Sequence, residues 1–297
     1  MRFKTSVRSI NTFLKLTQSL SAIAKLAWLR LSEDDVRFVV KAAEGTAVWA
    51  NLSIEMLFED YIVTSANNNI INLEVPLDRL HKSLRSCASA SQAVLRLTKR
   101  ASDGSPILAL TVTVASASDF LAGSTLITQE IPCRVLSAST VELIQEPQTP
   151  DSDVHIFLPP LSRVRGITDR FNKLSTFSLS EDRYKLLLSA NMAGEFKMAL
   201  VGAEVKVESK WHDLQNPVLA DSENREGHPS TVRSQTEFAQ VRVDGREWAK
   251  VLKVQGLSRR VIACICDDQA LVLYVFLTEE ADPDQSVLTY YMSSYSA

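Results

Sequence analysis

From about Asn11 to Ala27 the apolar residues Phe13, Leu16, Leu20, Ile23 and Ala27 recur at steps of three and four. That spacing is one stripe of an amphipathic helix. Short runs at Trp28–Leu31, Val36–Ala43, Ala47–Leu52 and Ile70–Val75, each punctuated by polar residues, predict strands. Pro76 then opens a second helix, where proline is tolerated in the first turn, with Leu77, Leu80, Leu84 and Cys87 as its apolar stripe. Ala93–Thr98 and Ile107–Val114 alternate on either side of Asp103-Gly104, a hairpin signal, and a strand over about Ser124–Leu136 closes this half. Ser137–Asp153 holds Pro147 and Pro150, has little periodicity, and is expected to cross a domain boundary.

The second half repeats the plan. A strand at Val154–Leu158 leads into a helix over Pro160–Leu174, with Leu161, Val164, Thr168 and Phe171 facing inward. Strands follow at Leu186–Ala190, Glu195–Val201 and Val205–Lys210, then a polar loop from Asn216 to Gln235. A strand (Phe238–Val243), a helix (Asp244–Val254), a hairpin (Arg260–Cys266 with Leu271–Leu277) and a final strand near Val287–Tyr291 complete it. In both halves a strand, helix and hairpin occur in one order, with Val75–Ser86 answering Val243–Val254. Two copies of one α+β unit are therefore expected, 1–136 and 154–297, joined by a connector at 137–153. The period is too long for a solenoid or a propeller.

Charge sharpens the picture only through its placement. The 297 residues carry a net charge of −3, so the whole chain gives no reason to expect nucleic acid. Each predicted helix, however, holds cations away from its apolar stripe: Lys15 and Lys25; Arg79, Lys82 and Arg85; Arg163, Arg165, Arg170 and Lys173; Arg246, Lys250 and Lys253. If the helices share a surface, that surface attracts phosphate. No aromatic platform accompanies these cations, which favours contact with a duplex backbone over single-strand or base readout.

Catalytic chemistry finds no foothold. The chain has no Walker loop, dinucleotide glycine fingerprint, His-Glu-x-x-His or Gly-x-Ser-x-Gly, and only nine glycines. Asp34-Asp35 and Asp267-Asp268 are adjacent acids of the kind that mark solvated turns, and Cys87, Cys133, Cys264 and Cys266 are too scattered for a zinc site. No enzyme, cofactor or metal is expected. No apolar run approaches the roughly 18 residues of a membrane span, and the N-terminus lacks a signal-peptide core.

Several ordered segments resemble the Hus-type subunit of the checkpoint sliding clamp, the nine-one-one heterotrimer. They are Met1-Arg2-Phe3-Lys4, Ile23-Ala24-Lys25-Leu26-Ala27, Leu29-Arg30-Leu31-Ser32, Val48-Trp49, Ser65-Ala66-Asn67-Asn68-Asn69, Gln145-Glu146-Pro147, Asp153 to Pro159, and Asp213-Leu214-Gln215-Asn216-Pro217. The resemblance implies a DNA-clamp fold: two similar α+β domains, each with antiparallel sheets outside and two helices facing the ring centre. It implies a ring with two related but distinct subunits, placed on duplex DNA by an ATP-driven loader, that recruits checkpoint and repair proteins in the nucleus. The alternatives are a replicative-type homotrimeric clamp and, further off, a DNA-processing enzyme. Neighbouring subunits would pair edge strands, for which Ile107–Val114 and Leu271–Leu277 are the candidates. Leu143 and Ile144 in the connector either form a groove for partner peptides or pin the connector to its domain.

Overall fold

The computed structural model describes residues 1–43, 45–88, 90, 92–114, 125–178, 185–201, 206–217, 227–278 and 286–295. The chain divides into two compact units between Glu146 and Pro147, with Ala42–Val48 grouping with the second unit and Ser286 with the first.

The first unit runs β1 (Arg2–Val7), α1 (Ile10–Ile23), β2 (Leu26–Leu31), β3 (Asp35–Lys41), β4 (Ala47–Ser53), α2 (Ile54–Leu57), β5 (Phe58–Thr64) and β6 (Ile71–Pro76). It continues with α3 (Leu77–Ser86), β7 (Gln92–Lys99), β8 (Pro106–Val114), β9 (Thr125–Pro132), β10 (Arg134–Val135) and, in the connector, α4 (Ala138–Glu142). One sheet has the order β5-β1-β7-β8-β9 and a second the order β10-β6-β2-β3-β4. Ser9 caps α1 by accepting from the Thr12 amide, and Pro76 stands at the cap of α3, where it leaves no amide unsatisfied. Leu77, Leu80 and Leu84 bury completely from α3, each contributing about 2 kcal/mol of gross apolar burial.

The second unit runs β11 (Val154–Phe157), α5 (Leu161–Ser178), β12 (Lys185–Ala190), β13 (Phe196–Val201), β14 (Lys206–Trp211), α6 (Pro229–Val232) and β15 (Ala239–Asp244). Then come α7 (Gly245–Val251), a 3-10 turn (Leu252–Gly256), β16 (Arg260–Cys266), β17 (Ala270–Phe276) and β18 (Val287–Ser293). Its strands form the sheet β14-β13-β12-β15 and the run β18-β17-β16-β11.

The duplication extends to single hydrogen bonds. Helix α1 packs on α3, and α5 packs on α7 and its 3-10 extension. The eighth residue of each leading helix is a fully buried threonine, Thr17 or Thr168, whose hydroxyl bonds back to the carbonyl four residues earlier. Each also reaches across to the second helix: Thr17 Oγ1 lies 3.2 Å from His81 Nδ1, and Trp248 Nε1 donates to Thr168 Oγ1 at 3.0 Å.

The structure departs from the sequence reading at several points. Helix α1 ends at Ile23, because Ala24 turns extended and Ala27 alternates inward as part of β2. Strands β1 and β5 and the short α2 were not expected. The Phe3, Thr5 and Val7 alternation that makes β1 is only six residues long, and one of its three buried residues is polar. The single strand expected over 124–136 breaks at Cys133, so that Arg134 and Val135 join β6 instead of β8. Helix 244–254 tightens to 3-10 after Val251. The connector contains α4, and the polar loop 216–235 contains α6.

The proposed edges are also corrected. Ile107–Val114 lies between β7 and β9, and Leu271–Leu277 lies within the β17 region between β16 and β18, so both are interior. Leu271–Leu277 is apolar throughout and Ile107–Leu110 is buried on both faces, as interior strands require. Among the described residues, the edges are β5 and β9 in the five-stranded sheet and β14 and β15 in the four-stranded sheet, while β10 and β11 end the remaining runs.

Candidate nucleic-acid interface

Each helix pair buries one side and turns its cations away from the core. Lys15, Arg79, Lys82, Arg85, Arg163, Arg170, Lys173, Arg246 and Lys253 are exposed, while Arg165 and Lys250 are half-buried. Lys25 is exposed too, but it sits in the turn after α1, and its carbonyl accepts from the Leu77 amide at 2.9 Å. Lys253 is on the 3-10 turn.

The cations are not equivalent. Lys250 is engaged by Glu247, a carboxylate buried to 2% exposure, so its charge is largely answered within the helix. Arg165 lies 3.9 Å from Asp169. Among the described residues, Arg79, Lys82, Arg85, Arg163, Arg170, Arg246 and Lys253 have no carboxylate partner. Helix α3 is the clearest case: its inner face is all leucine, its outer face carries three unpaired cations, and its single acid, Asp78, is in the first turn, where the helix dipole favours it. α7 follows the same rule, with Asp244 capping it by accepting from the Arg246 and Glu247 amides at 2.7 and 3.0 Å.

The other residues singled out in the sequence hold the frame. Asp35 pairs with Arg30 and Arg37. Asp267 accepts from Arg233 at 2.9 Å and from the Gln240 amide at 2.8 Å, and Asp268 takes a left-handed φ of +52° in the β16–β17 turn. Arg233, which the sequence reading passed over, lies in the polar loop just after α6. Its side chain is only 14% exposed and also bonds Asp153, Glu237 and the Phe238 carbonyl. Its signal was invisible because its acidic partners are up to 80 residues away in the chain.

The Asp213–Pro217 segment is a clasp. Asp213 has φ +58°, the Leu214 amide donates to the Gly194 carbonyl at 3.0 Å, and Asn216 Nδ2 donates to the carbonyls of His155 (2.7 Å) and Asn191 (3.2 Å). Gly194 has φ +81°, and a Cβ there would fall 2.3 Å from the Leu214 carbonyl oxygen, so only glycine fits. The clasp seals the outer side of β11, where the Phe157 amide finds the Gln215 carbonyl at 2.9 Å.

The connector treats its two apolar residues differently. Leu143 is 82% exposed, while Ile144 is half-buried just before the point where Lys41 Nζ donates to the Gln145 carbonyl at 3.1 Å. Burial pushes the thiol of Cys133 up to about 11, Cys264 to about 12 and Cys266 to about 11, so all three are poor nucleophiles. Among the described residues, no group of three or more His, Cys, Asp or Glu side chains is placed to hold a metal ion, and no helix is long and apolar enough to cross a membrane.

A family model described as Hus1-like protein matches residues 1–296. The checkpoint protein hus1 of Schizosaccharomyces pombe is 41% identical over 298 residues, covering 99% of each chain. The human checkpoint protein HUS1 is 26% identical over 288 residues, covering 94% of this chain and 96% of its own. Among solved structures, the proliferating cellular nuclear antigen of Entamoeba histolytica superposes with a TM-score of 0.69 over 99% of both chains at 13% identity, which speaks for the fold. The chain belongs to the Hus1-like family of checkpoint proteins and has the sliding-clamp fold.

Proposed function

We propose that this chain is one non-enzymatic subunit of a heterotrimeric checkpoint clamp that closes around duplex DNA and recruits checkpoint and repair proteins in the nucleus. The observation that carries the reading is the sorting of charge on the helices: apolar inward, Lys and Arg outward, seven of them without a carboxylate partner among the described residues, in a chain that is acidic overall. Such a surface makes loose, sequence-independent phosphate contacts, and topological closure supplies retention. The DNA-facing set is Lys15, Lys25, Arg79, Lys82, Arg85, Arg163, Arg170, Lys173, Arg246 and Lys253, with Arg165 and Lys250 as weaker members because of their acid partners.

The ring joins through β9 and β14. Strand β15 is unsuited, since its outward groups are already used: the Gln240 amide by Asp267, its carbonyl by the Asp268 amide, the Arg242 amide by Ser294 Oγ and its carbonyl by the Tyr295 amide. Strand β5 is blunted by a bulge opposite Lys4–Ser6 and by Glu59 and Asp60, the latter at φ +49°. By contrast β9 exposes Leu126 (67%) and Ile127 (45%), and β14 presents a regular row of half-buried and exposed residues. These are unlike edges, as a head-to-tail ring requires. Loading requires an ATP-driven partner, and the exposed Leu143 with Ile144 is offered as a grip for partner peptides.

The test is retention on closed circular against linear duplex DNA, with the partner subunits and loader, across a salt series. Wild type stays on circles and slips from linear ends. Reversing Arg79, Lys82 and Arg85 together reduces loading and lowers the log–log salt slope by about 2–3. Equal binding to circles and linear DNA would refute encirclement.

A further inference from the structure

The sheet β14-β13-β12-β15 buries one face in the second unit's core, with Phe196, Met198, Leu186, Leu188, Val241 and Val243 all at 1% exposure or less. Register fixes what the opposite face carries. Lys210 stands opposite Lys197, Glu208 shares a row with Arg242, and Lys206 and Lys185 belong to the next outward row. Among the described residues, one face of this four-stranded sheet thus holds five cations against two carboxylates, Glu208 and the buried helix cap Asp244, in a chain with net charge −3.

These cations have little to hold them. Among the described residues none of the five makes an ion pair. Lys197 and Lys210 are direct cross-strand neighbours, a placement in which like charges destabilise a sheet. The Lys197 ammonium rests 3.4 Å from the centroid of the Phe238 ring, a π face standing where a carboxylate would be expected. Burial and the Lys210 charge together hold the Lys197 amine below its ordinary range. Ala199 and Leu187, at the centre of the row that ends in Glu208 and Arg242, separate the Lys197–Lys210 row from the Lys206–Lys185 row.

We propose that this outer sheet face is a docking surface for an acidic, extended polypeptide segment. Outward residues two apart on a strand are spaced by about 6.8 Å, so the two cationic rows lie about 13–14 Å apart. That separation matches an extended chain with acidic residues at i and i+4. An apolar residue at i+2 then lands on Ala199 and Leu187. A nucleic-acid backbone fits less well, because Glu208 interrupts the cations on β14 and the one aromatic ring on this face, Phe238, is already covered by Lys197.

The probe is a short fluorescein-labelled peptide with Glu at i and i+4 and Leu at i+2, titrated with the full-length protein and read by anisotropy. At about 50 mM salt the peptide binds, and binding weakens steeply as salt rises. Lys197→Glu with Lys210→Glu weakens it by about tenfold or more, and the neutral pair Lys197→Gln with Lys210→Gln falls between. The charge-matched reversal Lys4→Glu with Arg96→Glu, a cross-strand cation pair in the first unit, changes affinity by less than about twofold. Far-UV circular dichroism confirms that the variants are folded. Two results overturn the proposal. One is equal loss in both reversal pairs, or in neither. The other is a short DNA duplex that displaces the peptide and loses affinity to the same extent in the Lys197/Lys210 variant, which would make this a nucleic-acid surface.

Discussion

Replacing Thr168 by valine tests whether the second unit's helix pair is held by one buried hydrogen bond. Valine keeps the shape and the β-branched stiffness of threonine, so packing is nearly unchanged. The Trp248 Nε1 donor, fully buried and bonded at 3.0 Å, is then left without an acceptor. An unsatisfied buried donor costs about 1–3 kcal/mol, and the lost desolvation of the hydroxyl offsets part of it, giving about 2 kcal/mol net. For a unit of this size that is a fall of about 4–8 °C in Tm. Urea unfolding followed by far-UV circular dichroism measures it, in a cycle with Trp248→Phe. Trp248→Phe alone loses a comparable amount through the cavity left by the indole. In that background Thr168→Val should add only a few tenths of a kcal/mol, a coupling of about 1.5 kcal/mol. The equivalent Thr17→Val should be milder, about 0.5–1 kcal/mol, because His81 is only half-buried and has water as an alternative partner. Loss within about 0.5 kcal/mol of wild type for Thr168→Val, or the same loss with and without the indole, would refute the reasoning.

Arg233→Met strips the shared partner from Asp153 and Asp267, and stability measured in urea should fall by about 2–3 kcal/mol, since the guanidinium is largely buried and the acids partly so. Gly194→Ala forces a Cβ into the Leu214 carbonyl at a positive φ and should lower stability by more than about 1 kcal/mol, with thermal melts as the readout. His155 is buried at 2% exposure, and burial followed by the neighbouring His228 holds its folded pKa below the ordinary 6.5. The unfolded chain therefore binds the extra proton first, so the stability this site contributes is full above about pH 6.5 and is lost as pH falls toward the folded value. Urea midpoints should drop between about pH 7.5 and pH 5.5, and His155→Gln should flatten that slope.

Much of the fold could be read from the chain where its signals are local. The β16–β17 hairpin is two apolar runs around a tight turn, and α3 declares itself by leucines at steps of three and four. What stayed hidden depends on distant partners. Strand β1 exists because β5 and β7 flank it, not because six residues of mixed polarity demand a strand. The overrun of α1 arose because Ala27 fits both a helical stripe and the inward face of β2. Charge sorting on the helices was legible, but the neutralisation of Lys250 by Glu247 was not, since three-residue spacing alone does not reveal that the acid is buried. Edge position was illegible for a similar reason. Interior and edge strands differ in what lies beside them, and β15 is closed by side chains and backbone from the β16–β17 turn and the C-terminal residues.

The closure of β15 sets the valence of the molecule. In the language of polymer chemistry, a chain that joins through β9 and β14, as proposed, is a bifunctional monomer, able to grow only head to tail and to terminate only by cyclising. Were Ser294 and Tyr295 removed, the Arg242 amide and carbonyl would become a third reactive point. A trifunctional monomer branches, and branched growth ends in a gel or a precipitate. On that proposal Ser294 and Tyr295 keep assembly one-dimensional, which is the condition for a ring.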